Sequence, residues 1–563
     1  MKTQRPVIYQ LFPRLFANVN QTLIPNGRIE NNGCGKLADI NSKVLKAIGD
    51  MGFTHIWFTG VIEHAHDVDY TRYGIKRHNP KIIKGRAGSP YAITDYYDID
   101  PDLAKNVDVR MAEFEALIAR TKESGMEVII DFVPNHVARQ YHSDSAPKGV
   151  KDLGDGDDKE YFFKRDNNFY YIPRQQFSPQ GIDLGSGSEE YVEFPARATG
   201  NDCFTAFPGK YDWYETVKLN YGYDPGDGST HFEPVPDTWY KMLHILRYWA
   251  SKGVSGFRCD MAHMVPAEFW KWAIEAVKKD YPGTLFIAEL YDVGIYKKYL
   301  DAGFDYLYDK VNLYDTLRGI EAGETSAAQL TSCWQAIDGM SDRMLNFLEN
   351  HDEQRFASDF YAKKAENVIP SLVALTTLSR GAIMIYNGQE LGEKGMDCEG
   401  YSGCDGRTTI FDYWSMETVR RWLGQEFVPS EKNLTDSEQR LRHLYAKLLT
   451  TANREKVFRQ GDFFDLMYVN YESAGFNPHR HYSYLRSSER ECVLIFLNFE
   501  NKEAKSSVKI PNHAFNLLEL PFGEVKARDI LTGAEEILNL HPDSSVKISV
   551  PPKSAKMLKF SKK

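Results

Sequence analysis

The sequence predicts an α/β fold built on a closed (β/α)8 barrel, a TIM barrel, with an inserted domain after strand 3 and a C-terminal β-sandwich. Three observations predict it. Short β-rich runs alternate with helical stretches from Val7 to Asn453, a pattern typical of parallel strands joined by crossover helices. One connection after the third strand is far too long for a loop. Beyond about Glu455 the helical periodicity stops and strand-like runs alternate with turn residues.

The predicted barrel strands are short runs of β-branched and aromatic residues bounded by turn residues. In chain order they run from Val7 to Phe12, His55 to Val61, Glu127 to Val133, Val254 to Asp260, Leu285 to Glu289, Phe304 to Asp309, Met344 to Leu348 and Ala382 to Tyr386. Eight strands, each followed by a helix, favour a closed barrel over an open doubly wound sheet.

The predicted helices have apolar residues at the helical period of 3.6 residues. They run from Val44 to Met51, Val109 to Ser124, Asp237 to Lys252, Pro266 to Asp280, Val293 to Ala302, Asn312 to Asp338, Ala362 to Ser379 and Leu441 to Asn453.

The domain boundaries follow from these elements. We expect residues 1–136 and 236–455 to form the two parts of the catalytic barrel, and residues 137–235 to form the inserted domain. Residues 456–563 form the predicted C-terminal β-sandwich. Its strands include Tyr482 to Arg486, Cys492 to Phe499, Ser507 to Ile510 and Val546 to Val550.

Composition excludes several classes of protein. Of the 563 residues, 42% are hydrophobic and 26% charged, and the mean hydropathy is −0.47, values typical of a folded, water-soluble chain. Acidic residues (78) outnumber basic ones (68) and no basic cluster occurs, so we expect no nucleic-acid partner. Long apolar runs are missing as well, so we expect no membrane partner. The oligomeric state is left open.

Localisation and redox state follow from weaker patterns. The first residues show neither a sustained apolar run nor a small-residue cleavage site, so we expect no export signal and a cytoplasmic protein. Seven scattered cysteines do not form a disulfide framework. Cys398 and Cys404 could pair or bind metal, but two further ligands at zinc spacing are missing, so we favour neither alternative.

Polar residues stand where four predicted strands end. In a barrel of this kind the active site forms at the carboxyl ends of the strands. Side chains alternate along a strand, so Arg258 and Asp260 face the same way while Cys259 faces the surrounding helices. The four strand ends supply the motifs Asp131-Phe-Val-Pro-Asn135-His136, Gly256-Phe-Arg258-Cys-Asp260, Phe286-Ile-Ala-Glu289 and Phe347-Leu-Glu-Asn350-His351-Asp352.

Converging carboxylates at apolar strand ends are suited to glycoside hydrolysis, which needs one ionised and one protonated acid. Asp260 can stay ionised beside the cation of Arg258. Glu289 can keep its proton if it is desolvated next to two other acids, and Asp352 is the third acid. Taken singly, each motif is more often a capping or salt-bridge element. Together they favour a site that binds glycosides.

These segments resemble the conserved regions of the alpha-amylase family, glycoside hydrolase family 13, in the same order and with the same spacing. Segments 52–57 and 381–390 agree with it as well. The resemblance implies a retaining double displacement with Asp260 as nucleophile, Glu289 as general acid/base and Asp352 as transition-state stabiliser. It also implies five substrate-binding residues, namely Tyr91, His136, Arg258, His351 and Arg407.

The resemblance implies an alpha-amylase-type glycosidase that cleaves α-glucosidic, mainly α-1,4, linkages in malto-oligosaccharides or other α-glucans. Two alternatives remain, a transglycosylase on the same scaffold and a non-catalytic glucan-binding protein. Aromatic residues on the acceptor side would favour transfer, and Trp213, Tyr214, Tyr221 and Tyr223 are the candidates. Linkage, chain length and endo or exo action stay undetermined at this stage.

The resemblance also bears on metals. The family counterpart of Asn135 often helps to ligate a structural calcium, with an aspartate from the inserted domain, where this chain has Val217-Lys218-Leu219-Asn220. A lysine ammonium can replace a cation but cannot ligate one. We therefore expect no metal at that site and no required cofactor. The acidic run from Asp152 to Asp158 is predicted to be a solvated turn. His263 stands one position before the histidine of the family's Lys-His pair, and we leave it out of the site.

Overall fold

The computed structural model describes residues 4–562, and its centre is a closed barrel of eight parallel strands. In chain order the strands are β1 Val7–Leu11, β2 His55–Phe58, β3 Glu127–Phe132, β4 Gly256–Cys259, β5 Leu285–Ala288, β6 Tyr306–Tyr308, β7 Met344–Asn346 and β8 Ala382–Tyr386. The predicted barrel is confirmed. Most strands are shorter than predicted. Asp260 and Glu289 lie one residue beyond their strands, although their backbone N–H groups still donate to the neighbouring strands.

Helices surround the barrel. The crossover helices are Ser42–Gly49, Arg110–Glu123, Asp237–Ser251, Ala267–Asp280, Tyr296–Asp301, Asp315–Ala322 with Gln329–Ala336, Ile369–Thr377 and Asp436–Arg454. Shorter helices are Pro13–Phe16, Ile29–Asn32, Glu417–Leu423 and Lys456–Arg459. Among residues 4–562, none of the helices has the length and apolar character needed to cross a membrane.

The prediction of one helix from Asn312 to Asp338 is wrong. A π-helical turn, Lys310–Tyr314, leads into Asp315–Ala322, which ends at Gly323 with φ 86°. Glycine adopts this left-handed conformation without strain and terminates helices for that reason. A second helix, Gln329–Ala336, follows after a turn.

Two other helix starts also differ from the prediction. The helix predicted from Leu441 begins at Asp436, where Thr435 and Glu438 form a reciprocal capping box. The helix predicted from Ala362 begins at Ile369 and has Pro370 in its first turn, where proline's missing N–H costs no hydrogen bond. The first start therefore coincides with a capping box and the second with a proline in the first turn, and hydrophobic periodicity registers neither.

The segment after β3 contains little regular structure. His136–Ala138 pairs antiparallel with Thr216–Lys218, and Tyr171–Ile172 pairs with Ala196–Arg197. A small apolar core holds the segment together, with Phe177 and Tyr214 among its buried members. The insertion is present as the fold class requires, while its boundaries at residues 137 and 235 stay predictions.

The C-terminal part consists of antiparallel strands. They are β9 Asp462–Asp465, β10 His481–Ser487, β11 Glu491–Asn498, β12 Ala504–Lys509, β13 Gly523–Asp529, β14 Glu535–Leu540, β15 Ser545–Val550 and β16 Ser554–Ser561. Six of them form a sheet in the order β9-β10-β11-β16-β13-β14, and β12 pairs with β15. A helix, Asn512–Leu518, lies between β12 and β13. The predicted C-terminal domain of antiparallel strands is confirmed.

All seven cysteines are free thiols.

Candidate active site

The predicted acids meet at the carboxyl ends of β4 and β5, around one arginine. Arg258 Nη1 donates to Asp260 Oδ1 (2.8 Å), and Nη2 lies 2.7 Å from Glu289 Oε1. All three side chains are buried. The guanidinium presents its donors as a planar fork, which lets it span two neighbouring strands. Arg258 therefore contacts Glu289 as well as Asp260, the partner expected from the sequence.

The surroundings of Asp260 change the protonation expected for this acid. Burial and the nearby charge of Glu289 raise the pKa of Asp260 well above its ordinary value, and Arg258 offsets only part of this. The direction is opposite to the one expected from Arg258 alone. The cause is the burial of Asp260 next to a second acid, which one neighbouring cation does not fully compensate.

Glu289 is held by further donors. The Tyr291 hydroxyl donates to Oε1, and the Met261 backbone N–H donates to Oε2 (2.7 Å). Met261 has φ 42°, a left-handed conformation that non-glycine residues adopt rarely, and in it the N–H points at the carboxylate. Sequence reasoning missed Tyr291, although its place two residues after Glu289 puts it on the same side of the strand end.

Asp352, after β7, faces the first two acids from the mouth of the barrel. Its side chain is 41% exposed, whereas that of Glu289 is 3% exposed. His351 Nε2 lies 3.0 Å from Asp352 Oδ2, and Gln10 Nε2 contacts His351 Nδ1 (2.8 Å). Burial raises the pKa of Asp352, but the charge and hydrogen bond of His351 outweigh burial and hold that pKa below its ordinary value.

Two aromatic contacts complete the floor of the site. Tyr91 stacks on His351 with ring centroids 5.2 Å apart, and its hydroxyl contacts His351 Nε2. His136, after β3, lies against Trp213 of the inserted segment at 5.2 Å. Burial and the nearby Lys218 ammonium lower the pKa of His136 to about 3. Its imidazole is therefore neutral at ordinary pH and can exchange hydrogen bonds with hydroxyl groups.

Two residues under the acids were not among the predicted site residues. Asp131 Oδ1 lies 3.3 Å from both Arg258 Nη1 and the Tyr91 hydroxyl, and Oδ2 accepts from Trp57 Nε1 (3.1 Å). Tyr308 on β6 accepts from Arg258 Nε (3.2 Å). Asp131 stands in the quoted β3 motif and could have been included. Tyr308 has no sequence signal beyond its place on a barrel strand.

Comparison with known proteins decides the family. A family model described as the alpha amylase catalytic domain matches residues 10–202 and 229–491, which is most of the chain. The chain belongs to the alpha-amylase family. The resemblance seen in the sequence is thereby confirmed, and the chain is an enzyme of the alpha-amylase type.

Individual relatives of this alpha-amylase-family enzyme are distant. Alpha-amylase 2 of Dictyoglomus thermophilum is 22% identical over 508 residues, covering 89% of this chain and 70% of the relative. Alpha-1,4-glucan:maltose-1-phosphate maltosyltransferase of Picrophilus torridus is 24% identical over 287 residues, 50% of this chain and 32% of that protein. The solved structure of a noncanonic maltogenic alpha-amylase, AmyB, from Thermotoga neapolitana has a TM-score of 0.63 at 20% identity, covering 99% of this chain and 98% of that one, and shows the shared fold.

Arg407 lies at the rim of the alpha-amylase-family site and not among its acids. Nε donates to the Asp352 backbone carbonyl (2.7 Å), and Nη1 donates to Asp405 (2.8 Å). The side chain is 45% exposed. The guanidinium therefore fixes the backbone next to Asp352 and leaves the other donors facing solvent at the mouth.

Lys218 ties the inserted segment to two barrel loops. Its ammonium contacts Asn135 Oδ1, Asp202 Oδ1 (2.7 Å) and the Met264 carbonyl (3.1 Å). These oxygens belong to the ends of β3 and β4 and to the inserted segment. Burial lowers the pKa of Lys218 while Asp202 opposes the shift. We refer to these four residues as the lysine cage.

Other predicted polar features have structural partners. Asp157, in the acidic run, accepts hydrogen bonds from the backbone N–H of Asn168 (2.8 Å) and the Tyr171 hydroxyl (3.0 Å). It is half-buried, so this residue stabilises the inserted segment and does not belong to a solvated turn. The adjoining Gly154 and Asp155 do form turns.

Within residues 4–562, one group of side chains outside the active site has metal-ligand spacing, namely His66, Asp100 and Asp102. His66 Nδ1 accepts the backbone N–H of Val68 (3.2 Å), so the proton of the neutral ring is on Nε2. Among the described residues, His66 Nε2 and Asp100 Oδ2 are buried and have no hydrogen-bond partner.

A cleft of about 690 Å³ lies between the inserted segment and the loop after β4. His263 lines it, and the His263 ring is 6.2 Å from that of Tyr291, the residue bonded to Glu289. Of the four aromatic candidates for this side, Tyr221 and Tyr223 line the cleft, and Trp213 lies on His136. Tyr223 is exposed, whereas Tyr221 is largely buried and its hydroxyl donates to the Pro134 carbonyl. Tyr214 is buried in the core of the inserted segment.

Proposed function

We propose that the enzyme is a retaining glycoside hydrolase that cleaves α-glucosidic, mainly α-1,4, linkages in malto-oligosaccharides or other α-glucans. The observation that supports it best is the shared guanidinium of Arg258, which contacts both Asp260 and Glu289. Membership of the alpha-amylase family supports the same class of reaction. Retaining glycosidases need two neighbouring acids, one as nucleophile and one as proton donor, and a single cation here holds two acids side by side.

In the first step Asp260 acts as the nucleophile. An Asp260 carboxylate oxygen bonds to the anomeric carbon as the bond from that carbon to the glycosidic oxygen breaks. Glu289, as the general acid, gives its proton to that oxygen, and the shortened glucan leaves as an alcohol. Charge develops on the sugar ring during this step, and the carboxylate of Asp352 at the mouth stabilises it.

In the second step Glu289, now ionised, removes a proton from water. The water oxygen bonds to the anomeric carbon from the face that the leaving group occupied, and the bond to Asp260 breaks. Two displacements at one carbon restore the α configuration. The donors from Met261 and Tyr291 hold the Glu289 carboxylate in place for both proton transfers.

The remaining polar residues bind the sugar whose bond is cleaved. The neutral imidazole of His136 and the His351–Asp352 pair face the same space and can bond sugar hydroxyls. The Tyr91 ring offers an apolar face for stacking under the pyranose. We propose no required cofactor, because the proposed steps use only carboxylates and water.

A transglycosylase is the second candidate, and a specific observation favours it. Tyr223 is exposed in the cleft on the Glu289 side, where an acceptor sugar could stack. A sugar hydroxyl in place of water would convert hydrolysis into transfer. The related protein of Picrophilus torridus carries the name of a maltosyltransferase.

A product time course on maltoheptaose tests these proposals. We expect shorter products with the α configuration at their new reducing ends, followed by NMR before mutarotation. Asp260→Asn and Glu289→Gln should each lower kcat/KM by about 10⁴-fold, roughly 5 kcal/mol of transition-state stabilisation. Asp342→Asn, a half-exposed aspartate before β7 at the opposite end of the barrel, is the matched control.

Each alternative has its own outcome in this assay. Longer oligomers would identify a transglycosylase, and β-configured products would contradict retention. Binding without any turnover by the wild type would leave only the glucan-binding protein. Residual activity of Asp260→Asn close to the wild-type level would remove Asp260 from the role of nucleophile.

A further inference from the structure

The guanidinium of Arg258 has partners on four neighbouring strands. Besides Asp260 and Glu289, it contacts Asp131 on β3 through Nη1 (3.3 Å), and its Nε donates to the Tyr308 hydroxyl on β6 (3.2 Å). Strands β3, β4, β5 and β6 are consecutive neighbours in the closed barrel. Each of the three guanidinium nitrogens therefore has a partner, and Tyr308 is the uncharged one among the four.

The register of the strands places Tyr308 at the same level as the two acids. Ala288 on β5 pairs with Cys259 on one side and with Leu307 on the other. The next residue on each of these three strands belongs to the site, and these residues are Asp260, Glu289 and Tyr308. Tyr308 therefore lies in the same layer as the two acids, while Arg258 extends towards them from two residues earlier on β4.

The atoms of the guanidinium place Tyr308 and Glu289 along the same edge. In this planar group the Nε hydrogen and one Nη2 hydrogen point the same way. Nε donates to Tyr308, and Nη2 lies 2.7 Å from Glu289 Oε1, whereas Nη1 donates to Asp260. The Tyr308 hydroxyl therefore fixes the edge of Arg258 that faces Glu289.

Tyr308 is itself held in place and uncharged. Its side chain is buried, its ring packs on Phe347 with centroids 5.2 Å apart, and the Tyr296 hydroxyl donates to its backbone carbonyl (2.9 Å). Burial raises the pKa of Tyr308 well above its ordinary value, and the charge of Arg258 offsets only part of this shift. A neutral hydroxyl accepts from Nε without adding a charge that competes with the carboxylates.

Aromatic rings hold the centre of the guanidinium but not its orientation. Arg258 Cζ is 5.3 Å from the ring centroids of Trp57 and Tyr91 and 5.5 Å from that of Tyr308. Rings at these distances attract a cation. Hydrogen bonds are more directional than such contacts, so the bond from Nε to the hydroxyl sets how the planar group is turned.

We infer that Tyr308 is a positioning residue for proton donation, because its hydroxyl orients Arg258 so that Nη2 faces Glu289. The inference rests on the proposed function and adds to it a residue that aligns the two acids. Asp260 is two residues from Arg258 on one chain segment and keeps its contact with Nη1 when the hydroxyl is lost. The contact with Glu289 crosses from one strand to the next, so loss of the hydroxyl impairs proton donation more than nucleophilic attack.

Tyr308→Phe tests the inference with two substrates. Phenylalanine keeps the ring that packs on Phe347 but lacks the acceptor. Cleavage of maltoheptaose needs a proton on the leaving oxygen, whereas α-maltosyl fluoride releases fluoride, which leaves with little help from an acid. For both substrates kcat/KM includes the step that forms the bond to Asp260. We expect the variant to lose about tenfold in kcat/KM on maltoheptaose and less than about twofold on the fluoride.

The pH profile on maltoheptaose is the second readout. An acid that loses a neighbouring cation keeps its proton to higher pH, and the basic limb of kcat/KM reports the general acid of the free enzyme. We therefore expect this limb to move to higher pH by at least about half a pH unit in Tyr308→Phe. Tyr296→Phe is the matched control, since it removes a buried hydroxyl that bonds the Tyr308 backbone instead of Arg258, and it should keep the wild-type profile.

The outcomes separate the inference from the proposed function. Equal losses on the two substrates, or a basic limb that stays where it is in the wild type, would show that Tyr308 has only a structural role and would leave the hydrolase intact. If the wild type cleaves maltoheptaose but does not accept the fluoride, the pH profile alone decides. If the wild type cleaves neither substrate, the proposed function is overturned and the inference with it.

Discussion

Asp309, at the end of β6, shows what burial alone does to a carboxyl group. It is 1% exposed and caps the π-helical turn by accepting the Leu313 N–H (3.2 Å). Burial raises its pKa to about 6, and the bonds from Leu313 and Asn312 offset only part of that shift. The carboxyl lines a cavity of about 190 Å³ together with Cys333 and Trp334, outside the active site.

Asp309→Asn should therefore change how stability depends on pH. An acid whose pKa is higher in the folded than in the unfolded state lowers stability as pH rises between the two values. Here the window runs from an ordinary 3.8 to about 6. We expect the variant to be no more stable near pH 4 and to gain roughly 2 kcal/mol over the wild type by about pH 7.

Denaturant unfolding of both proteins across that pH range measures this difference. Asp305→Asn serves as a control, because Lys278 already pairs with Asp305 at 2.9 Å. A difference between Asp309→Asn and the wild type that stays constant with pH would contradict the raised pKa.

At the scale of single residues, the sequence predicted the polar side chains at the strand ends. It missed the contacts between residues that are distant in sequence and become neighbours only in the folded barrel. The side-chain alternation of β4 indicated that Arg258 and Asp260 share a face. The reach of Arg258 to Glu289 depends on the distance between two strands, which no local pattern encodes. Tyr308 approaches from β6 for the same reason. Asp131, in contrast, stood in a quoted motif.

At the scale of structural elements, the lysine cage connects the inserted segment to two loops of the barrel. Its ammonium joins the inserted segment to the loops that follow β3 and β4, and these loops carry His136 and Asp260. A divalent cation would meet the same three oxygens, but the ammonium occupies their centre. We propose that this site holds no calcium and that the lysine supplies its charge.

Lys218→Ala should convert the cage into a cation site. The vacated oxygens would lose their partner, and we expect a loss of about 3 kcal/mol in stability, part of which Ca²⁺ restores through binding to the folded state. Lys218→Met fills the same space without a charge and should not respond to Ca²⁺. Thermal unfolding with calcium or with EDTA compares the three proteins. A wild-type melting temperature that falls in EDTA would reveal a bound metal instead.

The elements themselves were largely predictable, with instructive exceptions. Periodicity placed all eight barrel strands but carried one helix through Gly323, where the left-handed backbone ends it. Periodicity also missed the first turn of the helix that begins at Asp436, because its polar residues are there for capping. Elements that are defined by the packing of a periodic apolar face could therefore be predicted from the sequence. Element ends that depend on the conformation or capping of one residue could not.

At the scale of the whole molecule, an ion pair with a fully buried glutamate joins the C-terminal domain to the barrel. Lys553, before β16, lies 2.7 Å from Glu321, whose side chain is fully buried on the helix after β6. Burial raises the pKa of Glu321, and Lys553 counteracts this shift. The Ser371 hydroxyl donates to the same carboxylate (3.0 Å), so the contact is well satisfied.

Lys553→Met should destabilise the protein by about 3 kcal/mol, because it leaves a buried charge without its partner. Glu321→Gln added to it should recover most of that loss. Urea unfolding of the two single variants and the double variant measures the coupling, and kcat/KM on maltoheptaose should stay at the wild-type value in each. A double variant as unstable as Lys553→Met would show that the pair does not act through its charges.

The contact of one guanidinium with two acids affects the reorganisation energy, which is the free energy needed to reorient the surrounding dipoles as charge moves during the reaction. In the proposed first step Asp260 loses its negative charge when it becomes an ester, and Glu289 gains one by giving up its proton. The sum of the charges on these two acids beside Arg258 would therefore be the same before and after each displacement. The negative charge would move from the carboxylate at one guanidinium nitrogen to the carboxylate at the other, and the total charge would stay the same. Few dipoles around the site would then need to reorient.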